Sequence, residues 1–217
     1  MLILGFDTTG RSCSAAINEN EKLIGERYVE NGNTHSVSLM PMIDELLKSQ
    51  NIKFEQIDAI ALSAGPGSYT GIRIGVCTAK GLAHARNVPI IPVNTLYALA
   101  LNARQHLGFI CPVMDARRGE VYCAVYDNTR SDMRLSEVPR AMELEELLNE
   151  QKVNSPLYLG DGARLSIVCE SGADIADERI ILQHASSVCL AGYYGFKNGD
   201  AVNYDTLKPD YLRKFKL

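Results

Sequence analysis

The chain has 217 residues, 46% of them hydrophobic and 22% charged, which is enough apolar material for one large core or two small ones and excludes a disordered protein. A formal net charge of -4 excludes a general electrostatic grip on nucleic acid, because neutralising phosphates needs clustered Lys and Arg; any RNA contact is local or borrowed from a partner. The six cysteines (Cys13, Cys77, Cys111, Cys123, Cys169, Cys189) form no CxxC pair, so neither a zinc ribbon nor a dithiol redox site is spelled out.

In chain order, MLILGFD reads as a buried strand, a TTGRS turn leads into SCSAAINEN, and KLIGERYVE makes a third strand. THSVSLMPMIDELLKSQ follows as a helix that Pro41 should kink or restart. IDAIALSAG is a strand, SYTGIRIGVCTAKGLAHAR a long helix, VPIIPVN a strand, and TLYALALNARQHL a helix with Thr95 expected as its cap. The order then begins again. GFICPVMD, EVYCAVYD and RLSEV are strands, MELEELLNEQ a helix, SPLYLG a strand, DGARLSIVCES a helix, ERIILQ a strand and ASSVCLAGYYGFKNG a helix. Each half thus reads β-β-β-α-β-α-β-α, with Asp7 and Asp115 both ending a first strand before a polar turn containing Gly10 or Gly119.

A duplicated unit of this order resembles the ribonuclease-H-like half of the actin, sugar kinase and Hsp70 architecture, so the expected fold is α/β with two such lobes facing across a cleft. The expected boundaries are 1–107 and 108–198, with 199–217 packing back on the first lobe. No stretch approaches the roughly 20 apolar residues of a membrane span, and no basic segment precedes the apolar N-terminus, so a cytoplasmic location is expected.

The segment AGPGSYTGIRIG, residues 64–75, runs from a strand end into a helix, where backbone amides can hold an anion. It lacks the P-loop lysine, Lys80 lies too far along the helix to substitute, and its glycine spacing misses the dinucleotide fingerprint by one residue. The packing reading is favoured: Gly65 and Gly67 shape the turn, Ser68 or Thr70 caps the helix, and Gly71 and Gly75 admit another backbone closely. Two glycines inside a helix cost roughly 1 kcal/mol each relative to Ala, a loss that close packing can offset.

The preceding helix spreads Met42, Leu46, Leu39, Ile43, Leu47, Met40 and Val37 over an arc of about 220° at 100° per residue, too wide for one sheet to cover. Together the two helices predict a pairing surface of Val37, Met40, Ile43 and Leu47 with Tyr69, Gly71, Ile72, Gly75, Thr78, Ala79 and Leu82.

LGFDTT, HSVSLMPMIDELL, AGPGSYTGIRIG, MDARRGEVYCAVYD and YLGDGA, in this order and over the whole chain, resemble the bacterial TsaB family, also called YeaZ. The resemblance implies a non-catalytic subunit that partners TsaD, with the ATPase TsaE joining them, in threonylcarbamoyl transfer to the adenosine next to the anticodon of ANN-decoding tRNAs. TsaC supplies the threonylcarbamoyl-adenylate. It also implies a TsaD heterodimer, a homodimer when alone, tRNA held mainly through the complex, and no cofactor in this chain, with ATP or ADP at a shared interface.

TsaD binds a metal through two histidines four apart on its first helix; here His35 has Leu39 at that position, so no metal site is expected. Asp7, Thr8 and Thr9 in the first turn, with Gly160, Asp161 and Gly162 after a second-lobe strand, fall where related kinases hold nucleotide, and are read as a vestigial nucleotide site or as turn-forming residues. An independent ATPase or kinase is therefore the alternative. A peptidase has no motif behind it, since HExxH and GxSxG are both missing and His84, His106 and His184 read as structural. Lys208, Arg213, Lys214 and Lys216 at the C-terminus read as a solvated tail, with direct tRNA contact subordinate to that of TsaD.

Overall fold

β1 (Leu2–Asp7) shows no polar alternation because both of its faces are covered. The computed structural model describes residues 1–30, 34–130 and 132–212, and in it β1 lies at the centre of a five-stranded sheet. β2 (Cys13–Glu19) pairs with it antiparallel and β3 (Lys22–Val29) extends the meander, while β4 (Ala59–Gly65) runs parallel to β1 and β5 (Ile90–Asn94) parallel to β4. Leu4 and Phe6 point to one face, where α1 (His35–Ser49) and α2 (Tyr69–Arg86) add Leu39, Ile43, Leu46, Ile72, Val76 and Ala79. Ile3 points to the other face.

α1 continues through Pro41 as one helix, without the expected restart. Proline frees the carbonyl four residues before it, that of Val37, and both residues lie on the solvent side, where water can serve that carbonyl. α3 (Thr95–Leu101) is capped by Asn94, whose side-chain oxygen accepts from the Leu96 and Tyr97 amides, in place of the expected Thr95.

The second sheet is built from β6 (Phe109–Arg117), β7 (Glu120–Asp127), β8 (Arg134–Glu143) and β9 (Leu157–Leu159) in the order β8-β7-β6-β9, with α4 (Leu144–Glu150) between the last two strands in sequence. β9 is parallel to β6 as β4 is to β1. The expected helix after it is a 3-10 turn (Asp161–Arg164) followed by the short α5 (Ser166–Glu170).

Residues 178–183, expected as a fifth strand, form turns instead. Their carbonyls are satisfied without a full ladder. Asn102 Nδ2 donates to the Ile180 and Leu182 oxygens at 2.9 and 2.6 Å, and the Gly160 amide donates to Ile181 O at 2.6 Å.

α6 (Ala185–Asn198) was expected to complete the second lobe, but packs across the first sheet against β1, β2, β4 and β5. Ala185, Val188 and Cys189 close the core over Ile3, Ala16 and Ala61, and a Cβ on Gly192 would stand 2.5 Å from that of Ala61, so only glycine admits this approach. After α6 the chain returns along the first lobe. Val202 bridges to Ile90, Leu207 is buried, and the Asp210 amide donates to Ala64 O at 2.8 Å.

The crossing into α6 is clamped to the first sheet by His184, which stacks on Tyr28 and meets Glu26 at 3.3 Å, while its Nε2 lies 2.9 Å from the Arg179 carbonyl. Glu26 also accepts from the amide of Ser186, at 2.9 Å, and from its hydroxyl. Arg164 adds a second tie, bridging Glu30 and Glu178.

Burial acts to lower the His184 pKa, but the hydrogen bond and charge of Glu26, the Arg179 carbonyl and the more distant charge of Asp7 outweigh it and raise it. Burial acts to raise that of Glu26, and His184 and the Ser186 amide overcome it, so Glu26 is lowered. A raised histidine stabilises fully below its unfolded value near 6.5 and loses the contribution as pH rises through its folded value; a lowered glutamate stabilises fully above its unfolded value near 4.5 and loses the contribution as pH falls through its folded value. The pair therefore stabilises most between those limits. In thermal melts, His184→Gln should lower Tm more at pH 6 than at pH 8.5; an equal loss at both would show that the charge contributes nothing.

Candidate functional site

The entry to α2 is fixed to the turn after β1. Ser68 caps the helix, its hydroxyl accepting from the Gly71 amide at 3.3 Å, while its own amide donates to Thr9 O at 2.8 Å. The Thr8 hydroxyl donates to Gly71 O at 2.7 Å. A Cβ at Gly71 would overlap the Thr8 carbonyl oxygen, and one at Gly75 would lie 2.9 Å from Thr8 Oγ1. The backbone that approaches the glycine face is thus the chain's own.

This corrects the predicted pairing surface. Ile43, Gly71, Ile72, Gly75 and Ala79 are buried in the first lobe and cannot meet a partner. Periodicity groups residues on one face without saying which body covers it. What faces outward is Val37, 68% exposed, with Met40 at 46% and Tyr69 at 38%. Leu47, Thr78 and Leu82 are half-buried, Leu47 and Leu82 at the rim of the core beneath. One flank of the wide arc on α1 is filled by the lobe and the other is open.

Between the lobes lies a cleft of about 930 Å³. Of the predicted nucleotide residues, Thr9 and Asp161 line it. Asp7 and Thr8 are buried behind the wall, and Gly160 and Gly162 are turned against β6, where a Cβ on Gly160 would overlap the Val113 carbonyl oxygen. Those two glycines serve the strand-to-turn connection; with φ of 108°, Gly160 also needs a backbone that L side chains rarely adopt.

The two strand-terminal aspartates do the same local work. Asp7 Oδ1 accepts from the Thr9 amide at 2.7 Å, as Asp115 Oδ1 accepts from the Arg117 amide at 2.8 Å. Burial pushes the Asp7 carboxyl up, partly countered by the nearby Ser63 hydroxyl and by the Thr9 amide and hydroxyl. Asp161 is likewise raised by burial, countered by the Asp115 amide that donates to it at 3.1 Å, while the charge of Asp115 raises it further.

Sequence reasoning passed over Arg11, Arg117, Arg118, Tyr122 and Tyr211, which also line the cleft. Their signal was the repeated polar turn after Asp7 and Asp115, which places Arg11 and the Arg117–Arg118 pair at corresponding points of the two lobes. His35 directs Nε2 to Gly10 O at 2.9 Å, and among the described residues no group of three or more His, Cys, Asp or Glu could hold a metal. Lys208 is exposed; Arg213, Lys214 and Lys216 lie outside the described residues.

A family model for TsaD, tRNA N6-adenosine threonylcarbamoyltransferase, matches residues 30–171. The chain is 32% identical to the tRNA threonylcarbamoyladenosine biosynthesis protein TsaB of Bacillus subtilis (strain 168), over 98% of this chain and 94% of that one. A crystal structure of a Pseudomonas aeruginosa protein with similarity to the peptidase YeaZ superposes with a TM-score of 0.84 at 26% identity, covering 98% and 99% of the two chains. Component A of (R)-2-hydroxyglutaryl-CoA dehydratase from Acidaminococcus fermentans shares the fold alone, with a TM-score of 0.54 at 11% identity over 91% of this chain and 98% of that one. The two lobes are of the actin, sugar kinase and Hsp70 type.

The glycine contacts give an ordered expectation. Gly71→Ala drives a methyl into backbone and should cost about 3 kcal/mol, whereas Gly75→Ala meets only the end of a threonine side chain and should cost less. Urea unfolding of both variants measures the difference, and equal losses would contradict the assigned contacts.

Proposed function

The chain belongs to the TsaB family of tRNA threonylcarbamoyladenosine biosynthesis proteins, and on that premise we propose that it is the non-catalytic partner of TsaD in threonylcarbamoyl transfer to the adenosine next to the anticodon of ANN-decoding tRNAs. The observation that carries this reading is the uncovered apolar flank of α1, where Val37 and Met40 stand exposed beside half-buried Leu47, Thr78 and Leu82. Apolar area left open beside a filled core suits a protein partner. The equivalent helices of TsaD cover it in the complex, and a second copy of the chain covers it isologously when TsaD is absent.

A supporting role fits the state of the cleft. Asp7 is fully buried and pushed toward its neutral form, and Asp115 and Asp161 each accept from a backbone amide. Asp7 and Asp115 shape their own turns and Asp161 is tied to the β6 backbone, which leaves them poorly placed to hold a metal–nucleotide pair. ATP or ADP accordingly belongs at the interface shared with TsaD, TsaE joins that assembly, and the tRNA is held mainly by the complex. The setting is the cytoplasm; among the described residues no helix is long and apolar enough to cross a membrane.

Because both side chains are exposed, the Val37→Asp, Met40→Asp double variant should fold as the parent does while its self-association weakens at least about tenfold, or roughly 1.4 kcal/mol; sedimentation velocity reads this directly. In a reconstituted threonylcarbamoylation assay with TsaC, TsaD, TsaE and tRNA, omitting this chain should reduce product to background, and the double variant should restore little of it. Product formation that is indifferent to the chain would overturn the assignment.

A further inference from the structure

The β6–β7 hairpin carries arginines on a backbone that disfavours them. Arg117, Arg118 and Gly119 have φ of 71°, 59° and 81°, three consecutive residues in the left-handed region. A non-glycine residue there costs about 1 kcal/mol or more, and tight hairpins of this kind favour Asn-Gly or Gly-Gly at the tip. Asp115 holds the geometry by accepting from the Arg117 amide at 2.8 Å, and its other oxygen lies 3.4 Å from the Arg117 guanidinium. Both arginines are exposed and line the cleft, and Arg11, also exposed, lines it from the first lobe. Backbone strain that brings two cations to a cleft wall points to something bound there.

The same cleft is walled by aromatic rings. Tyr69 and Tyr211 sit 5.3 Å apart with the Arg73 guanidinium 3.8 Å over the Tyr69 ring, and Tyr122 contributes from the second lobe. Cations combined with stacking surfaces are the usual means of holding unpaired nucleotides.

We propose that this interlobe cleft holds an unpaired, phosphate-bearing segment of RNA, with Arg11, Arg117 and Arg118 on its phosphates and the tyrosine rings against its bases. The volume suits one or a few nucleotides and excludes a duplex. Three aspartates, Asp115, Asp161 and Asp210, line the cleft too, so the lining carries no net positive charge and stacking must supply part of the affinity. The net charge of -4 accords with a contact confined to this cleft. Identifying the RNA as tRNA rests on the family reading above; the chemistry of the cleft stands without it.

The test uses the full chain and fluorescence anisotropy with two labelled probes, a single-stranded oligoribonucleotide and a tRNA with an ANN anticodon. Arg117→Asn, Arg118→Asn removes both charges with a residue that tolerates left-handed backbone. It should weaken binding of both probes about fivefold or more and flatten the log–log salt dependence by about 1.4, at roughly 0.7 per phosphate contact on a single strand. Thermal melts of the variant confirm its fold. Unchanged affinity, no binding by the parent chain, or displacement of RNA by equimolar ATP or inorganic phosphate would overturn the proposal, the last by making the cleft a site for free anions. The arginine variant should still self-associate and the Val37→Asp, Met40→Asp variant should still bind RNA, so failure of either reading leaves the other measurable.

Discussion

The hydrogen bond from the Thr8 hydroxyl to the Gly71 carbonyl, made across a helix surface with no side chain of its own, ties the start of α2 to the end of β1. Thr8 is 1% exposed, so its hydroxyl needs an internal partner, and only glycine at 71 allows the carbonyl of the helix to come near enough. With the Ser68 amide on Thr9 O, this contact fixes where α2 begins and how it lies on the sheet. Two surfaces follow from it. α1 packs beside α2 with Val37 and Met40 uncovered, and the cap Ser68 with Tyr69 and Thr70 of the first turn of α2 forms part of the cleft wall.

The duplicated plan is preserved where chain direction is set and abandoned where the lobes must join. The aspartate turns, the antiparallel hairpins and the parallel β1–β4 and β6–β9 pairs repeat. The first sheet has five strands and the second four. In place of the missing strand, residues 178–183 lie under the Asn102 amide and lead α6 out of the second lobe onto the first. The lobes are therefore joined by shared helices, α3 packing toward the second sheet and α6 toward the first, and by the Arg164 and His184 ties.

The cleft keeps the two-lobed plan, with the Asp7 and Asp115 carboxylates engaged in their turns and that of Asp161 held by the Asp115 amide. The arginine hairpin and the uncovered flank of α1 occupy different parts of the molecule, so the proposed protein surface and the proposed RNA site are separate.

By itself the sequence determined the alternation of strands and helices, their order, the internal repeat and the fold class, because period-2 and period-3.6 apolar patterns and Gly/Pro turns are local properties. It also marked Gly71 and Gly75 as sites of close approach, since glycines one turn apart in a helix need a packing reason. It did not say that Thr8 makes the approach, that ERIILQ stays out of the sheet, or that ASSVCLAGYYGFKNG belongs against the first lobe. An apolar run suits a strand or a buried turn equally, and a helix face suits any apolar cover; the choice depends on contacts such as Asn102 with Ile180 and Gly192 with Ala61, between residues far apart in the chain. The cleft arginines were hidden for the same reason. Arg11 and Arg118 are ordinary turn residues in one dimension, and only the facing of two lobes puts them in one site.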